Sequence, residues 1–278
     1  MIEAFAPAKI NLTLHVTGQR DDGYHLLDSL VVFVDVGDRL TFAPSDELSL
    51  KVAGPMAAGV PVNNDNLILK AARLLSREMG AKISLTKNLP AAAGIGGGSS
   101  DAAATIRGLG SLWGTPVLSD TAILGADVPV CLRAKPTRMQ GIGEVLTATN
   151  VLPPAWLVLV NPGVQLSTPV VFEQLADKNL APMENSLPEF ETVIDFANWL
   201  KTTRNDLQIP AIEIEPIIGA VIDEIAIQNG CLIARMSGSG ATCWGMFSDL
   251  VSAQNAARAI SQKHSDWWCT SAKIAPLS

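Results

Sequence analysis

A stretch rich in glycine and serine, residues 90–101, has the composition that most plainly suggests chemistry. It reads Pro-Ala-Ala-Ala-Gly-Ile-Gly-Gly-Gly-Ser-Ser-Asp. The glycines between residues 94 and 98 permit positive φ angles and close approach of a ligand, because no Cβ stands in the way. If a helix follows, its free N–H groups and positive dipole end stabilise a phosphate without any basic side chain. The stretch therefore predicts an anion site, and the plainer alternative is a flexible turn before a helix capped by Ser100 or Asp101.

The order of residue types in this stretch excludes the common nucleotide-binding and nucleophile motifs. A Walker A loop requires a Gly-Lys pair, and the sequence contains none. The dinucleotide fingerprint fails because Ser99 stands where its last glycine is needed. A hydrolase elbow around Ser99 or Ser239 fails because Asp101 and Ser237 occupy positions that must be glycine. The remaining interpretation is an ATP-binding loop of another kind.

Regular patterns on both sides place the glycine stretch in the fold. Residues 82–87 alternate as a strand does, and the apolar residues between 103 and 113 follow helical spacing that ends at Gly114. We therefore predict a strand at 82–87 and a helix at 101–113, joined by the glycine stretch. Apolar and polar residues also alternate from Ile10 to Val16, which predicts a strand with Lys9 and Asn11 on one face.

The rest of the chain predicts an α+β protein of two domains. A break at Leu152-Pro153-Pro154 suggests a boundary that gives domains 1–152 and 153–278. Strands and helices without strict βαβ alternation favour α+β layers over a doubly wound sheet. Further strands are predicted at 30–42, 156–160, 231–236, 242–247 and 267–274, and further helices from 67 towards Gly80, near 189–204, near 211–228 and at 250–263.

The bulk composition limits the possible partners. The chain has 278 residues, 48% of them hydrophobic, and a net charge of -7, so it offers no basic surface for nucleic acid or an anionic membrane. No apolar run approaches the length of a membrane helix, and the first residues lack the pattern of a secretion signal. Scattered cysteines and histidines predict neither disulfides nor structural zinc. We expect a cytoplasmic protein that binds a small anionic molecule.

The motifs, taken together, resemble those of the GHMP kinases, which phosphorylate small molecules. Pro90–Ala104 resembles the family's glycine and serine loop, Pro7–Leu12 its first motif, and Met236–Thr242 its third. Asp21–His25 and Leu124–Pro129 resemble a branch of the family that acts in isoprenoid synthesis. Five motifs in the family's order span most of the chain.

The resemblance implies a fold, a reaction and its ligands. The fold would be the two-domain GHMP kinase fold, with a ribosomal protein S5 domain 2-like N-terminal domain and a ferredoxin-like C-terminal domain. ATP with Mg²⁺ would be the phosphoryl donor, and the acceptor would be the hydroxyl of a cytidine-diphosphate sugar alcohol. The resemblance assigns no magnesium ligands and no oligomeric state.

The same resemblance implies roles for particular residues. Asp127 would be the base for the acceptor hydroxyl, and Lys9 the cation that orients it. If the resemblance is set aside, the plainer interpretation makes Asp127 a helix cap and Lys9 a solvent-exposed charge. The ATP-binding residues would be Pro90, Ala91, Ala92, Ala93, Gly94, Ile95, Gly96, Gly97, Gly98, Ser99 and Ser100.

The acceptor's cytosine ring would be recognised by aromatic residues. Tyr24 and His25 would stack on the ring and hydrogen-bond to its edge, and Phe172 would provide the opposing face. Asn11 and Thr168 would contact the acceptor as well. Core packing is the plainer alternative for the rings, and a hydrogen-bonded strand edge is the plainer alternative for Asn11.

The sequence departs from the family in two places. Ala91, Ala92 and Ala93 stand where many relatives have glycine. The glycines and serines from Gly94 to Ser100 are all present. Only residues 114–124 separate the predicted helix from Gly125, where the family has room for a further helix.

A catalytically silent nucleotide-binding protein and a lyase on the same scaffold are the rival hypotheses.

Overall fold

The computed structural model describes residues 1–116, 118 and 120–275 of the chain. These residues form two compact units, each assembled from separate stretches of sequence. Unit 1 comprises Met1–Lys9, Val36–Ala91 and Gly96–Ala134, and unit 2 comprises Ile10–Asp35, Ala92–Ile95 and the part from Lys135 onwards. The boundary at residues 152 and 153 stays a prediction.

The elements are numbered in chain order. The strands are β1 (Ile2–Asn11), β2 (His15–Gln19), β3 (His25–Pro44), β4 (Leu48–Ala53), β5 (Ala81–Thr86), β6 (Thr137–Gly141), β7 (Val145–Ala148), β8 (Trp156–Asn161), β9 (Ile233–Met236), β10 (Cys243–Phe247) and β11 (Trp268–Lys273). The helices are α1 (Leu67–Leu75), α2 (Gly97–Trp113), α3 (Val128–Arg133), α4 (Thr168–Glu173), α5 (Val193–Thr202), α6 (Gln208–Ile214), α7 (Ile217–Ala226) and α8 (Leu250–Lys263). A short 3-10 turn covers Ala122–Leu124.

Unit 1 is a sheet with helices packed on it. The second part of β3 pairs antiparallel with β5, and β5 pairs parallel with β4. Helices α1 and α2 pack on each other, and the core beneath them contains Phe42, Ile83 and Leu109. Gly108 lies against the Phe42 ring, because an added Cβ there would come within 2.2 Å of a ring carbon. This close approach holds α2 tightly against the sheet.

Unit 2 is built around an antiparallel sheet in the order β11-β8-β10-β9. Helices α7 and α8 pack against this sheet, and their apolar residues Val221, Ile225 and Ile260 are fully buried. The first part of β3 pairs with β2 and β6 in the same unit, and β6 pairs with β7. Mixed helices and antiparallel strands make the protein α+β, as the sequence predicts.

A buried ion pair ties several segments of unit 2 together. Arg138 donates to both carboxylate oxygens of Asp28, at 2.8 and 2.6 Å. Its remaining N–H groups donate to the carbonyls of Met183, Glu184 and Asn185. A buried charge needs such complete pairing, so this arginine fixes the segment between α4 and α5.

Some predicted elements differ from the observed ones. The strand predicted from Ile10 to Val16 is divided, because β1 ends at Asn11 and β2 begins at His15. The helix predicted at 211–228 is two helices, since Pro216 cannot continue the hydrogen-bond ladder of α6. Helix α2 begins at Gly97 rather than at 101. Of the connection 114–124, Val117 and Ser119 lie outside the described residues.

Among the residues that are described, no helix has both the length and the apolar character needed to cross a bilayer.

Candidate active site

Lys9 and Asp127 form an ion pair in unit 1. The Lys9 Nζ atom donates to Asp127 Oδ2 at 2.9 Å, although 118 positions separate the two residues. Lys9 lies in β1 and is 4% exposed, whereas the Asp127 side chain keeps 32% of its surface open. Asp127 occupies the N-cap position of α3 but makes no side-chain capping bond. The carboxylate is therefore turned to the ammonium rather than to the helix.

The first turn of α2 lies beside this pair. Gly96, the N-cap residue, has φ +62° and makes no side-chain capping bond. A Cβ added to Gly96 would stand 3.2 Å from the Lys9 Cβ and 3.3 Å from its Cε. On the other side, the Cβ position of Gly125 lies 3.9 Å from Ser99 Oγ. The free N–H groups of the turn thus lie near Lys9 and the segment that carries Asp127.

Ser100 and Asp101 do not cap this helix. The Ser100 hydroxyl is fully buried and donates to the Pro7 carbonyl at 2.7 Å, and Asp101 accepts from Lys87. The alternative of a simple capped turn therefore fails, and the N–H groups at the start of α2 have no side-chain acceptor among the described residues. Such a helix start has the dipole and the donors that an anion requires.

The middle of the glycine stretch has an unusual backbone. Ala92 has φ +50°, Gly94 +71° and Gly96 +62°, so every second residue is left-handed. Backbone of this kind can direct successive N–H groups into one concave anion-binding surface. Of the flanking residues, Pro90 is half-buried, Ala91 and Ala92 are exposed, and Ala93 and Ile95 are buried.

Within unit 2, the turn of the third motif holds residues 93 and 94. Ser237 Oγ donates to the Gly94 carbonyl at 2.9 Å, and the Thr242 N–H donates to the Ala93 carbonyl at 3.2 Å. Gly94 has no space for a side chain, because an added Cβ would approach the Ser237 carbonyl oxygen within 2.5 Å. This contact, together with the positive φ, explains the glycine at 94.

Asn11 joins the same network and keeps one free acceptor. Its N–H donates to Ser237 Oγ at 3.0 Å, and its Nδ2 donates to Ser29 Oγ at 2.8 Å. Its Oδ1 is buried and has no partner among the described residues. A buried acceptor without a partner is costly, so this oxygen is a strong candidate for a ligand hydroxyl.

The predicted ring-binding residues lie in unit 2. His25 and Phe172 stack directly on each other, with centroids 4.5 Å apart and planes inclined by 23°. That spacing is typical of two rings in contact and leaves no room for a third ring between them. Tyr24 is 60% exposed, and His25 Nε2 is buried without a partner among the described residues. A base would therefore have to use an outer face of the pair.

One residue near these rings was missed by the sequence reasoning, namely Lys178. Burial, with a smaller contribution from the nearby Lys178 charge, lowers the pKa of His25 from its ordinary value. Ser239 Oγ lies 2.7 Å from the Thr168 hydroxyl, which is otherwise exposed. The sequence offered no signal for Lys178. Ser239, by contrast, lies in the turn Gly238-Ser239-Gly240, for which the sequence predicts closure over phosphate, with a hairpin turn as the plainer alternative; that role stays a prediction.

Comparison with known proteins places the chain among sequences of one family. Residues 66–137 match the family model described as GHMP kinases N terminal domain, and residues 179–266 match GHMP kinases C terminal. The chain is 60% identical to 4-diphosphocytidyl-2-C-methyl-D-erythritol kinase of Dinoroseobacter shibae, over 96% of this chain and 93% of the relative. It is 55% identical to the protein of that name from Ruegeria pomeroyi, over 98% and 99% of the two chains.

A solved structure has the same architecture. The crystal structure of a 4-(cytidine 5'-diphospho)-2C-methyl-D-erythritol kinase superimposes with a TM-score of 0.78 at 32% identity. The alignment covers 98% of this chain and 99% of the other. The expected GHMP kinase fold is thereby confirmed.

Proposed function

Because the chain belongs to the GHMP kinase family, we propose that it transfers the γ-phosphoryl group of ATP to 4-diphosphocytidyl-2-C-methyl-D-erythritol. The acceptor would be the 2-hydroxyl of the methylerythritol group, in the non-mevalonate pathway of isoprenoid synthesis. Relatives of that name with 50–60% identity over nearly the whole chain support the choice of substrate. The observation that carries the chemistry is the 2.9 Å contact between Lys9 and Asp127 beside the uncapped start of α2.

Asp127 and Lys9 would act on the acceptor hydroxyl. Phosphoryl transfer depends chiefly on positioning and charge stabilisation, since the protein has little covalent chemistry to perform. Asp127, the more open partner, would accept the hydroxyl proton as the new bond forms. Lys9 would orient the hydroxyl and offset the negative charge of the moving phosphoryl group.

The glycine stretch would hold the triphosphate. Residues 90–100 present left-handed backbone and the free N–H groups of α2, which suit phosphate oxygens. No positive side chain within the stretch is then needed. This explains why the chain has no Gly-Lys pair and can still bind ATP.

A magnesium ion fits the oxygen chemistry of this region. Mg²⁺ prefers oxygen ligands, keeps several waters and relies on phosphate oxygens rather than on a cage of carboxylates. The part of the chain that the structure describes has no group of three or more acidic, histidine or cysteine residues suited to a metal. The phosphate oxygens of ATP at the glycine stretch, together with water, would supply its ligands. The bound ion would neutralise charge on the phosphates.

The acceptor's cytidine would be recognised by residues of unit 2. Tyr24 and an outer face of the His25–Phe172 pair supply stacking surfaces, and His25 Nε2 supplies a free hydrogen-bonding atom. Asn11 Oδ1 and the Thr168 hydroxyl are available for the sugar alcohol and the diphosphate. The enzyme would work in the cytoplasm on a small molecule, without nucleic acid or a membrane as partner.

An ADP-release assay with two acceptors tests this function. We expect ATP- and Mg²⁺-dependent ADP formation with the cytidine-diphosphate sugar alcohol and at least about 100-fold lower kcat/KM with the same sugar alcohol lacking cytidine, since lost base stacking and hydrogen bonds cost several kcal/mol together. Equal rates with both acceptors would contradict recognition of the base. ATP binding without any acceptor-dependent ADP would favour a silent nucleotide-binding protein, and released carbon dioxide would favour a lyase.

A further inference from the structure

A buried cluster of charges lies beneath the glycine stretch and takes no part in the chemistry described above. Lys87 Nζ donates to Asp38 Oδ2 at 2.5 Å and to Asp101 Oδ2 at 2.8 Å. All three residues belong to unit 1, and none is more than 4% exposed. Burying three charges is costly, so a cluster of this kind calls for a functional explanation.

The cluster joins the two ends of the glycine stretch. At the entry, Asp38 Oδ1 accepts the N–H groups of Asn88 and Leu89, at 2.6 and 2.9 Å. At the exit, Asp101 belongs to α2 itself. Lys87 binds both carboxylates with one ammonium group. This single side chain therefore links the start of the stretch to its end.

The ammonium also lies close to the first residue of the helix. A Cβ added to Gly97 would stand 3.2 Å from Lys87 Nζ, so a larger residue there would displace the ammonium. Gly97 is the first residue of α2, whose N–H groups are free of side-chain caps. Lys87 thus lies under the predicted phosphate site, but its ammonium donates hydrogen bonds to carboxylates.

The charges of the cluster do not balance when both acids are ionised. One ammonium and two carboxylates give a net charge of -1 in a buried place. Asp38 has hydrogen-bond donors on both oxygens, whereas Asp101 Oδ1 has no partner among the described residues. Of the two acids, Asp101 is therefore the one that gains by holding a proton. Burial, with a further contribution from the Asp38 charge, raises the pKa of Asp101 to about 7, against the opposing effect of Lys87.

We propose that Lys87, acting through Asp38 and Asp101, positions the glycine stretch for the ATP phosphates, and that the net charge of this cluster sets the affinity for the nucleotide. Lys87 is a positioning residue that touches no phosphate. When Asp101 holds a proton the cluster is neutral and the start of α2 attracts the phosphates fully. When Asp101 ionises, an uncompensated negative charge beneath the helix start opposes them. The proposal rests on the proposed function only in that ATP binds at this stretch.

Two ionisable groups close to Asp101, Cys131 and Lys87, keep their charge state near neutral pH. Cys131 on α3 faces Asp101, and burial raises its pKa far above neutrality, so its thiol stays uncharged. Lys87 stays protonated, because the two carboxylates raise its pKa in spite of burial. On α1, Lys70 and Arg73 are exposed. A change in charge near neutral pH therefore belongs to the Asp101 carboxyl.

The test compares the wild type with Asp101→Asn, which has nearly the same shape and is neutral at every pH. Binding of ADP and the KM for ATP are measured between pH 6 and 8.5 by calorimetry and by steady-state kinetics. The phosphates of the nucleotide gain and lose protons in the same way with both proteins. The ratio of the two affinities therefore reports only the charge of the cluster. We expect the wild type to lose roughly three- to tenfold in affinity relative to the variant as pH rises through 7, as one added charge near the phosphates requires. The kcat of the variant stays close to that of the wild type.

Two further variants separate positioning from charge alone. Asp46→Asn removes one exposed carboxylate from the same unit and should leave the pH dependence unchanged. Lys87→Met should raise the KM for ATP far more than it lowers kcat, and combining it with Asp101→Asn should recover part of the loss. An affinity ratio between wild type and Asp101→Asn that stays constant with pH would overturn the proposal. Because ADP binding needs no acceptor, this result is independent of whether the cytidine assignment holds.

Discussion

At the scale of single residues, the ion pair between Lys9 and Asp127 carries the chemical argument. The two side chains could have faced different cavities, since a strand and a distant loop supply them. Their contact at 2.9 Å instead places an amine and a carboxylate where one acceptor oxygen can meet both. Removing one partner should therefore stop the reaction and spare nucleotide binding.

The variant Asp127→Asn tests the role of the carboxylate. We expect kcat to fall by about 10²–10⁴-fold, because a general base usually contributes that much. Binding of ADP should change little, since the phosphate-binding backbone is not altered. Turnover is measured by ADP release and binding by calorimetry. A kcat within a few-fold of the wild type would exclude Asp127 as the base.

Sequence reasoning found the members of this pair but not the cluster beneath it. Lys9 and Asp127 stand in motifs that resemble a known family, so their proximity could be expected from residue types and order, while their catalytic roles stay predictions. Lys87, Asp38 and Asp101 stand next to ordinary strand and helix patterns. Nothing in a linear pattern tells a buried charge from a solvated one, because burial depends on which distant elements pack together.

At the scale of elements, the glycine stretch owes its shape to backbone conformations that side chains disfavour. The prediction that a strand and a helix flank it was right, but the predicted helix began four residues too late. Glycine has low helix propensity, so Gly97 to Ser100 read as loop. In the structure these residues form the first turn of α2, where Gly97 lies close to Lys87 and Ser100 donates to the Pro7 carbonyl.

The variant Gly96→Ala tests this backbone, with Gly114→Ala as its matched control. Both glycines flank α2 with nearly equal φ, +62° and +68°, so alanine at either costs about 1 kcal/mol of stability. At Gly96 the new Cβ would meet the Lys9 side chain, whereas at Gly114 no atom of the described residues lies within 4 Å of the new Cβ.

The two variants should therefore differ in activity more than in stability. We expect similar small losses of melting temperature, but a fall in kcat/KM of more than about tenfold for Gly96→Ala alone, since small misplacements of catalytic groups are costly. Thermal unfolding and the ADP assay supply the two measurements. Equal activities in the two variants would mean that the Lys9 contact has no catalytic importance.

Other elements show where patterns succeed and where they fail. Helix α8 has the predicted bounds 250–263, because Asp249 caps it and its alanines form a clear apolar face. The break between α6 and α7 was missed, although Pro216 signalled it. Helix α3 was missed because it is only Val128–Arg133 and too short to show a period.

At the scale of the whole molecule, each unit uses stretches that are far apart in sequence. Unit 2 needs Ile10–Asp35 as well as the part of the chain after Lys135. Its core includes Leu14 and Val16, and the buried Arg235 donates to the Leu12 carbonyl at 3.0 Å. A sequence pattern cannot reveal such sharing, so a single boundary near residue 152 was the natural prediction.

A fragment of residues 153–278 tests the dependence of unit 2 on its early stretch. We expect it to unfold without a cooperative transition, since it lacks the buried Leu14 and Val16 and leaves Arg235 short of an acceptor. Urea titration followed by tryptophan fluorescence and circular dichroism provides the measurement. A sharp, protein-like transition of the fragment alone would contradict this expectation.

The 20-residue strand β3 contributes its first part to one unit and its second part to the other. A genetic crossover between the codons of residues 134 and 135 would therefore deliver the whole of unit 1 but would separate Ile10–Asp35 and Ala92–Ile95 from the rest of unit 2. A new C-terminal half would have to pair its β6 with the first part of β3 that the N-terminal half brings, so a single crossover cannot exchange unit 2 by itself.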